Sequence, residues 1–345
     1  MLTHAYGVDS PTSPFRPLDI ERREPGPHDV VFDIAYCGIC HSDIHTARSE
    51  WSKVTYPIVP GHEITGIVRQ VGAEVTKFKP GDRVGVGCMI DSCGTCDYCQ
   101  AGLEQFCDHG VWTYNSRTPD GPTKGGYSQA ITVQEHFVMA LPDAIPMDAG
   151  APLLCAGITT YSPLKRWGVG PGMEVAIVGL GGLGHVGVQI AAALGAEVSV
   201  ISHTRSKQAD GLAFRAQHYY ATSEEGTFKQ LAGRFDFILS TVSSTDDYTS
   251  YINCLKKTGT IVNVGMPATP LELYIRALSP RRTLQGSLIG GCAETQEMLD
   301  FCAAHSVLPR IELVGADDIT AAYDKVVHSE VRYRYVIDAD TIGPR

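Results

Sequence analysis

The chain is expected to fold as α/β in two parts, one mostly β and one built on a doubly wound parallel sheet, and three observations lead there. Its 345 residues exceed the roughly 100 to 200 that one domain uses, so two cores are expected. The texture changes near Leu154, from short β-like runs broken by Gly, Pro and Cys to a regular alternation of apolar runs and helix-length segments. Finally, Gly179-Leu180-Gly181-Gly182-Leu183-Gly184 stands between an apolar run and a helix-compatible stretch. In that context a G-x-G-x-x-G turn points to a dinucleotide, although a merely tight turn would have the same letters.

In the first half, Asp29 to Tyr36, Glu63 to Val71, Arg83 to Val86 and Tyr127 to Val133 read as strands, because β-favouring residues cluster there between turn formers. From Met173 onward the run Val175 to Val178, the glycine turn, the stretch His185 to Leu194 and the run Val198 to Ile201 read as strand, helix, strand. Phe235 to Leu239, Thr260 to Val264 and Thr283 to Ile289 are further apolar runs, the mark of parallel strands buried on both faces. A helix over Ala293 to His305 and a strand over Tyr333 to Asp338 close the chain and are expected to rejoin the first part. The first domain then takes residues 1–155 and 293–345, and the dinucleotide domain takes 156–292.

Composition removes several function classes. Hydrophobic residues are 43% and charged residues 19%, and no stretch nears the ~20 apolar residues of a membrane span. Lys plus Arg number 28 against 38 Asp plus Glu, a net charge of −10, which argues against nucleic acid as the main partner. The first residues lack the basic start and apolar core of a secretory signal, so a cytoplasmic, reducing location is expected. Eleven cysteines, four of them between Cys93 and Cys107, then suggest metal ligation rather than disulfides.

Cys93, Cys96, Cys99 and Cys107 have the spacing C-x2-C-x2-C-x7-C. A short turn-rich segment with four thiolates suits a structural Zn²⁺ with every position filled. An iron–sulfur cluster or four independent thiols are the alternatives, and the absence of a Cys-Pro ending disfavours the cluster.

A second set is dispersed. Cys40-His41-Ser42-Asp43-Ile44-His45 precedes Gly61-His62-Glu63, and Cys155 follows the apolar run Ala151 to Leu154. Two thiolates and an imidazole would leave a catalytic zinc one open position. Alone, Cys155 reads as a small buried hydrophobe.

About twenty residues past the glycine turn, where NAD-binding folds carry an acid for the ribose, the chain reads Ser202-His203-Thr204-Arg205-Ser206-Lys207. Hydroxyls and two cations in place of a carboxylate favour NADP(H), although Arg205 and Lys207 also fit a solvated helix start.

In this order and over nearly the whole chain, these motifs resemble the zinc-dependent medium-chain alcohol dehydrogenases. The resemblance is greatest to the cinnamyl alcohol dehydrogenase branch with its bacterial aldehyde reductases. It rests on Tyr36 to Asp43, Tyr56-Pro57 with Pro60-Gly61-His62-Glu63, Gly157 to Leu164 and Gly286 to Gly290. It implies a GroES-like first domain, a Rossmann second domain and two Zn²⁺ per chain. Cys40, His62 and Cys155 would hold the catalytic ion with Glu63 as alternate ligand, Asp43 would orient His62, and Ser42 and His45 would relay a proton.

Gly179, Gly181, Gly182, Leu183 and Gly184 would carry the pyrophosphate. Ser202, His203, Thr204, Arg205 and Lys207 would carry the adenosine phosphate, with His41, Thr159, Ser287, Ile289 and Arg334 as further cofactor contacts. Trp51 and Trp112 either line the substrate pocket or belong to the core, and Cys37 lies outside the pattern and reads as packing. The implied reaction is NADP(H)-dependent reduction of aromatic or medium-chain aliphatic aldehydes to primary alcohols, in a cleft between the domains. A homodimer paired along Thr283 to Ile289 is implied as well. The competing readings are an NAD-dependent secondary-alcohol or polyol dehydrogenase and a non-catalytic nucleotide-binding scaffold.

Overall fold

The computed structural model describes every residue except 244–247, 268 and 345. The chain divides into two compact units, one formed by Met1–Cys155 with Gly290–Arg345 and the other by Ala156–Ile289. The tail therefore joins the first unit at Gly290, three residues before the 293 read from sequence. Gly291 already packs so closely on that unit that a Cβ there would lie 1.9 Å from the Gly102 carbonyl oxygen.

In the first unit the main sheet runs in the order Met139–Ala140, Arg83–Val86, Ile64–Val71, Asp29–Gly38, Arg334–Asp338 and Ile311–Val314, with Ala130–Gln134 also pairing Asp29–Gly38. All pairings are antiparallel except the last, Ile311–Val314 with Arg334–Asp338. The strand Asp29–Gly38 is central, and its Val30, Phe32 and Ile34 are fully buried.

The strand expected from Tyr127 begins only at Ala130. The amides before it are used elsewhere: Gly125, Gly126 and Tyr127 donate to the carbonyls of Val59, Gly61 and Pro60 at 2.7, 2.9 and 3.0 Å. Those bonds fix the loop that precedes His62.

The second unit holds a six-stranded sheet, entirely parallel, in the order His218–Ala221, Glu197–Ser202, Glu174–Val178, Phe235–Ser240, Leu255–Asn263, Thr283–Gly286. The chain starts in the middle, winds outward one way through two strands, then returns and winds the other way. Its switch point is at the carboxyl end of Glu174–Val178, where such sheets bind ligands.

The edge strand read as Thr283 to Ile289 stops at Gly286, and Ile289 has a left-handed φ of 34° that no strand continues through. A core of Ala176, Val178, Ile201, Leu231, Phe235, Ile238 and Ile261 lies on one face of this sheet. Among the described residues no helix is long and apolar enough to cross a membrane.

Candidate active site

The strand Asp29–Gly38 delivers the chain to Cys40, which caps the short helix His41–Ala47. Asp43, wholly buried, reaches back so that its carboxylate accepts the Cys40 amide at 2.9 Å. The other oxygen accepts the Gly61 amide at 3.0 Å and lies 2.9 Å from His62 Nδ1. An ionised carboxylate can only accept, so it fixes the tautomer with Nδ1–H and leaves Nε2 as a lone-pair donor. One side chain thus closes a helix cap and aims an imidazole nineteen residues downstream of itself.

Gly61 permits this approach. Its φ is +109°, and a Cβ there would lie 2.7 Å from both the Cys37 sulfur and the Tyr127 ring. Cys37 is fully buried in that contact and serves packing. The opposing loop is clamped by Arg22, whose guanidinium donates to the carbonyls of Lys124, Gly125 and Ala130 and to the Ser128 hydroxyl.

Cys155 arrives by a different device. The helix Met147–Pro152 opens into a π-helical turn, Leu153–Gly157, before Ile158–Arg166 continues. The wider turn inserts an extra residue into the helical count and re-aims a side chain, as π-turns at functional sites do. The result is a cluster in which ligand atoms of Cys40, His62, Glu63 and Cys155 all lie within 4.8 Å of one another, with all four residues buried.

The electrostatics suit a cation. The Cys155 thiol donates to the Cys40 sulfur, which holds Cys40 well below the ordinary thiol range against the opposing effect of burial. Burial pushes Glu63 up to about 8, while Arg334 pulls it the other way. Arg334 Nη2 lies 2.9 Å from Glu63 Oε1. Yet neither Glu63 oxygen makes a hydrogen bond of acceptable geometry. A buried carboxylate with unused lone pairs beside two sulfurs and an imidazole fits Zn²⁺.

Cys93, Cys96, Cys99 and Cys107 form the second cluster, again with all four sulfurs within 4.8 Å of one another. The Cys93 and Cys99 sulfurs are 3.9 Å apart and those of Cys96 and Cys99 3.5 Å, close to the ~3.8 Å edge of a tetrahedron built on Zn–S bonds of about 2.3 Å. Backbone amides already point at the sulfurs: Cys96 N–H donates to Cys93 at 3.4 Å, and Cys93 and His109 N–H donate to Cys107 at 3.5 and 3.4 Å. The amides of Thr95 and Cys96 bring the Cys93 thiol down to about 6. These residues fit a structural Zn²⁺ with no open position.

In the second unit the glycine turn joins Glu174–Val178 to the helix Gly184–Ala193. Gly179 has φ +89°, and a Cβ on Gly184 would lie 1.9 Å from the Gly179 carbonyl oxygen, whereas one on Gly181 would meet nothing. The turn is closed tightly at both ends and open at its middle, a cradle for a pyrophosphate ahead of a helix N-terminus.

Ser202 ends its strand, and His203, Thr204 and Arg205 follow it exposed. Thr204 caps the next turn through Ser206 N–H. The Arg205 guanidinium is paired with both oxygens of Glu224 and with Gln208, and Lys207 Nζ donates to the Leu180 carbonyl at 3.2 Å. Thr159 is buried, while Ser287 and Ile289 follow the edge strand half-buried.

Around the first cluster, the Ser42 hydroxyl lies 3.7 Å from the Cys40 sulfur. The half-buried His45 pairs through Nδ1 with Glu50 and stacks on Trp51 at 4.8 Å, and its ring is 6.2 Å from that of the exposed His41. Trp51 and Trp112 are 44% and 38% exposed, so neither is a core residue.

Sequence reasoning passed over three neighbours. Cys88 hydrogen-bonds to Cys155, which lowers its own pKa. The buried Tyr114 ring lies 5.8 Å from that of His62, and Glu50 holds His45. Cys88 follows Gly87 at the end of the strand Arg83–Val86, and nothing in its local pattern marks it.

The profile of the alcohol dehydrogenase GroES-like domain matches residues 26–143, and that of the zinc-binding dehydrogenase family matches 182–304. The chain is 56% identical to NADP-dependent alcohol dehydrogenase C 1 of Mycolicibacterium smegmatis over 98% of each chain. It is 48% identical to the aldehyde reductase YahK of Escherichia coli over 99% of each. Among solved structures, the cinnamyl alcohol dehydrogenase of Helicobacter pylori complexed with NADP(H) superposes with a TM-score of 0.93 at 42% identity, covering 99% of both chains.

Proposed function

This chain belongs to the zinc-binding alcohol dehydrogenase family, and from that premise we infer that it interconverts aldehydes and primary alcohols with NADP(H). The observation that carries the reading is the buried convergence of Cys40, His62 and Cys155 beside Glu63. Zinc held there supplies Lewis acidity toward a carbonyl oxygen, and the nicotinamide supplies or accepts the hydride.

The remaining work falls to side chains. Cys40, His62 and Cys155 hold the ion, Glu63 stands by as a fourth donor, and Asp43 keeps His62 in the ligating tautomer. The alcohol oxygen needs a proton on reduction and must lose one on oxidation. The Ser42 hydroxyl, two residues past a ligand and 3.7 Å from its sulfur, serves that exchange. His45, half-buried and buffered by Glu50, passes the proton toward solvent.

The turn Gly179, Gly181, Gly182, Leu183 and Gly184 receives the pyrophosphate. Ser202, His203, Thr204, Arg205 and Lys207 receive the 2′-phosphate, where the missing acid removes the repulsion that an NAD-type ribose site would impose. His41, Thr159, Ser287, Ile289 and Arg334 are assigned as supporting cofactor contacts. Trp51 and Trp112, exposed aromatics on the zinc-bearing unit, favour aromatic or medium-chain apolar aldehydes.

The eleven cysteines, none of them in a disulfide, support a reducing, cytoplasmic location. The unit edge Thr283–Gly286 supports a homodimer, which sedimentation or light scattering tests.

The decisive assay is an aldehyde and alcohol panel with both cofactors, run beside zinc quantification. Two zincs per chain and a kcat/KM at least tenfold higher with NADPH than with NADH are expected. Replacing both Arg205 and Lys207 by Ala should lower kcat/KM for NADPH by about 10- to 100-fold, since charge-assisted hydrogen bonds contribute about 1.5–3 kcal/mol, and leave NADH turnover nearly unchanged. Equal loss with both cofactors would remove these residues from phosphate selection. The NAD-dependent reading has one observation in its favour, the engagement of Arg205 by Glu224, and NADH preference in the same assay would establish it.

A further inference from the structure

We propose that Glu104, His136 and Cys292 form a third metal site, for a borderline divalent ion of the zinc type, separate from both clusters above. Three chain segments meet there. Glu104 opens the 3-10 turn Glu104–Phe106 of the cysteine lobe, His136 lies in the turn Glu135–Phe137 after the strand Ala130–Gln134, and Cys292 starts the helix Cys292–His305.

One ligand atom from each lies within 4.8 Å of the other two. A carboxylate oxygen, an imidazole nitrogen and a thiol sulfur form the mixed N/O/S set that zinc accepts, with water completing four-coordination.

The donors are preorganised to different degrees, as an exchangeable site requires. Glu104 is 3% exposed, and its Oε2 accepts the Cys292 amide at 3.1 Å. Its Oε1 is 2.8 Å from His136 Nε2.

The helix is further pinned by Gln296, whose side-chain amide exchanges hydrogen bonds of 2.8 and 3.1 Å with the Ala140 backbone. The close packing of Gly291 on Gly102 and Glu104 fixes where Cys292 begins. His136, by contrast, has a side chain 49% exposed, which gives an ion and its water an entry from solvent. Bonds of about 2.0–2.1 Å to both His136 and Glu104 need their atoms about 3.3 Å apart. A half-ångström swing of the exposed ring therefore converts the hydrogen bond into a shared ion.

The neighbouring charges set a limit. Burial and Glu104 raise the Cys292 pKa, and Lys77 opposes them. Thiolate formation must therefore accompany metal uptake, with release of one proton.

The test uses the zinc-replete enzyme. After equilibration with excess Zn²⁺ and removal of weakly held ion, bound zinc is measured by elemental analysis and the last equivalent by calorimetric titration. Wild type is expected to hold one more equivalent than His136→Gln and Cys292→Ser, both retaining aldehyde reduction, with affinity at that site at least tenfold lower in each variant. His136 is exposed, so H136Q keeps the test valid even where C292S folds poorly. Titration at two pH values should show uptake weakening as pH falls. Equal zinc content and identical titrations in wild type and H136Q would overturn the site, whatever the zinc at Cys40 or Cys93 does. Activity lost together with the equivalent would overturn its separateness.

Discussion

The two cysteine-bearing clusters use the same element of chemistry in opposite settings. The lobe cluster is local, with four sulfurs from fifteen consecutive residues, three of them half-exposed, and neighbouring backbone N–H groups donate to the Cys93 and Cys107 sulfurs. The cluster at Cys40 is dispersed over more than a hundred residues, fully buried, of mixed donor type, and surrounded by groups that hold it in shape: Asp43, Arg334, Gly61 and the π-turn at Cys155. A filled tetrathiolate site has nothing left to offer a substrate. A buried three-ligand site with a spare carboxylate keeps a position open, and its surroundings must do the work that backbone amides do in the lobe.

This contrast can be broken in order of effect. Cys40→Ser or His62→Ala should lower kcat/KM for aldehyde by about a thousandfold or more, since the lost carbonyl polarisation is worth several kcal/mol. Fluorescence titration should still find NADPH bound with near-native affinity. Full turnover in either variant would remove the dispersed cluster from the chemistry.

Asp43→Asn should cost about 10- to 100-fold in zinc affinity or activity, the usual cost of losing an orienting carboxylate. Asn can keep its one oxygen on the Cys40 amide and turn its NH2 toward Gly61 and His62, so the helix cap survives and circular dichroism should be unchanged. An effect below twofold would mean that the fold alone positions His62.

Cys96→Ser should act on stability instead. One zinc should be lost from that lobe and the thermal midpoint should fall by about 5–10 °C, while kcat/KM at low temperature stays within a few-fold of wild type. A collapse of activity equal to that of Cys40→Ser, with the melting curve unmoved, would erase the division between the two clusters.

How far each feature was legible follows from the same distinction. The parallel sheet showed itself through uninterrupted apolar runs such as Val175 to Val178, and the cradle through glycines at fixed offsets. The strand at Tyr127 was misplaced because the Tyr127 amide bonds to Pro60 and Ser128 makes only an isolated bridge to Ala5 before the ladder begins at Ala130, a choice invisible in local pattern. The edge strand was read too long because residues 287–289 remain apolar in part after pairing has ended at Gly286. Cys88 went unassigned, since its neighbours Cys155 and His62 are remote in the chain. Arg205, read as a cation facing solvent or phosphate, is exposed and in addition pairs with Glu224, nineteen residues on, a partner that no local window contains.

By itself the sequence determined whatever is fixed by short-range geometry. Four cysteines in one turn-rich segment cannot avoid one another, and glycines between a strand and a helix leave few backbone paths. Its motifs also sufficed to identify the family. Tertiary structure alone decided which distant groups meet. The antiparallel pairing of Asp29–Gly38 with Ile64–Val71 carries Cys40 toward His62, the π-turn aims Cys155 at both, and Arg334 reaches Glu63 from the far end of the chain. Such meetings depend on sheet register and buried hydrogen bonds accumulated over the whole unit, and no window of neighbouring residues contains them.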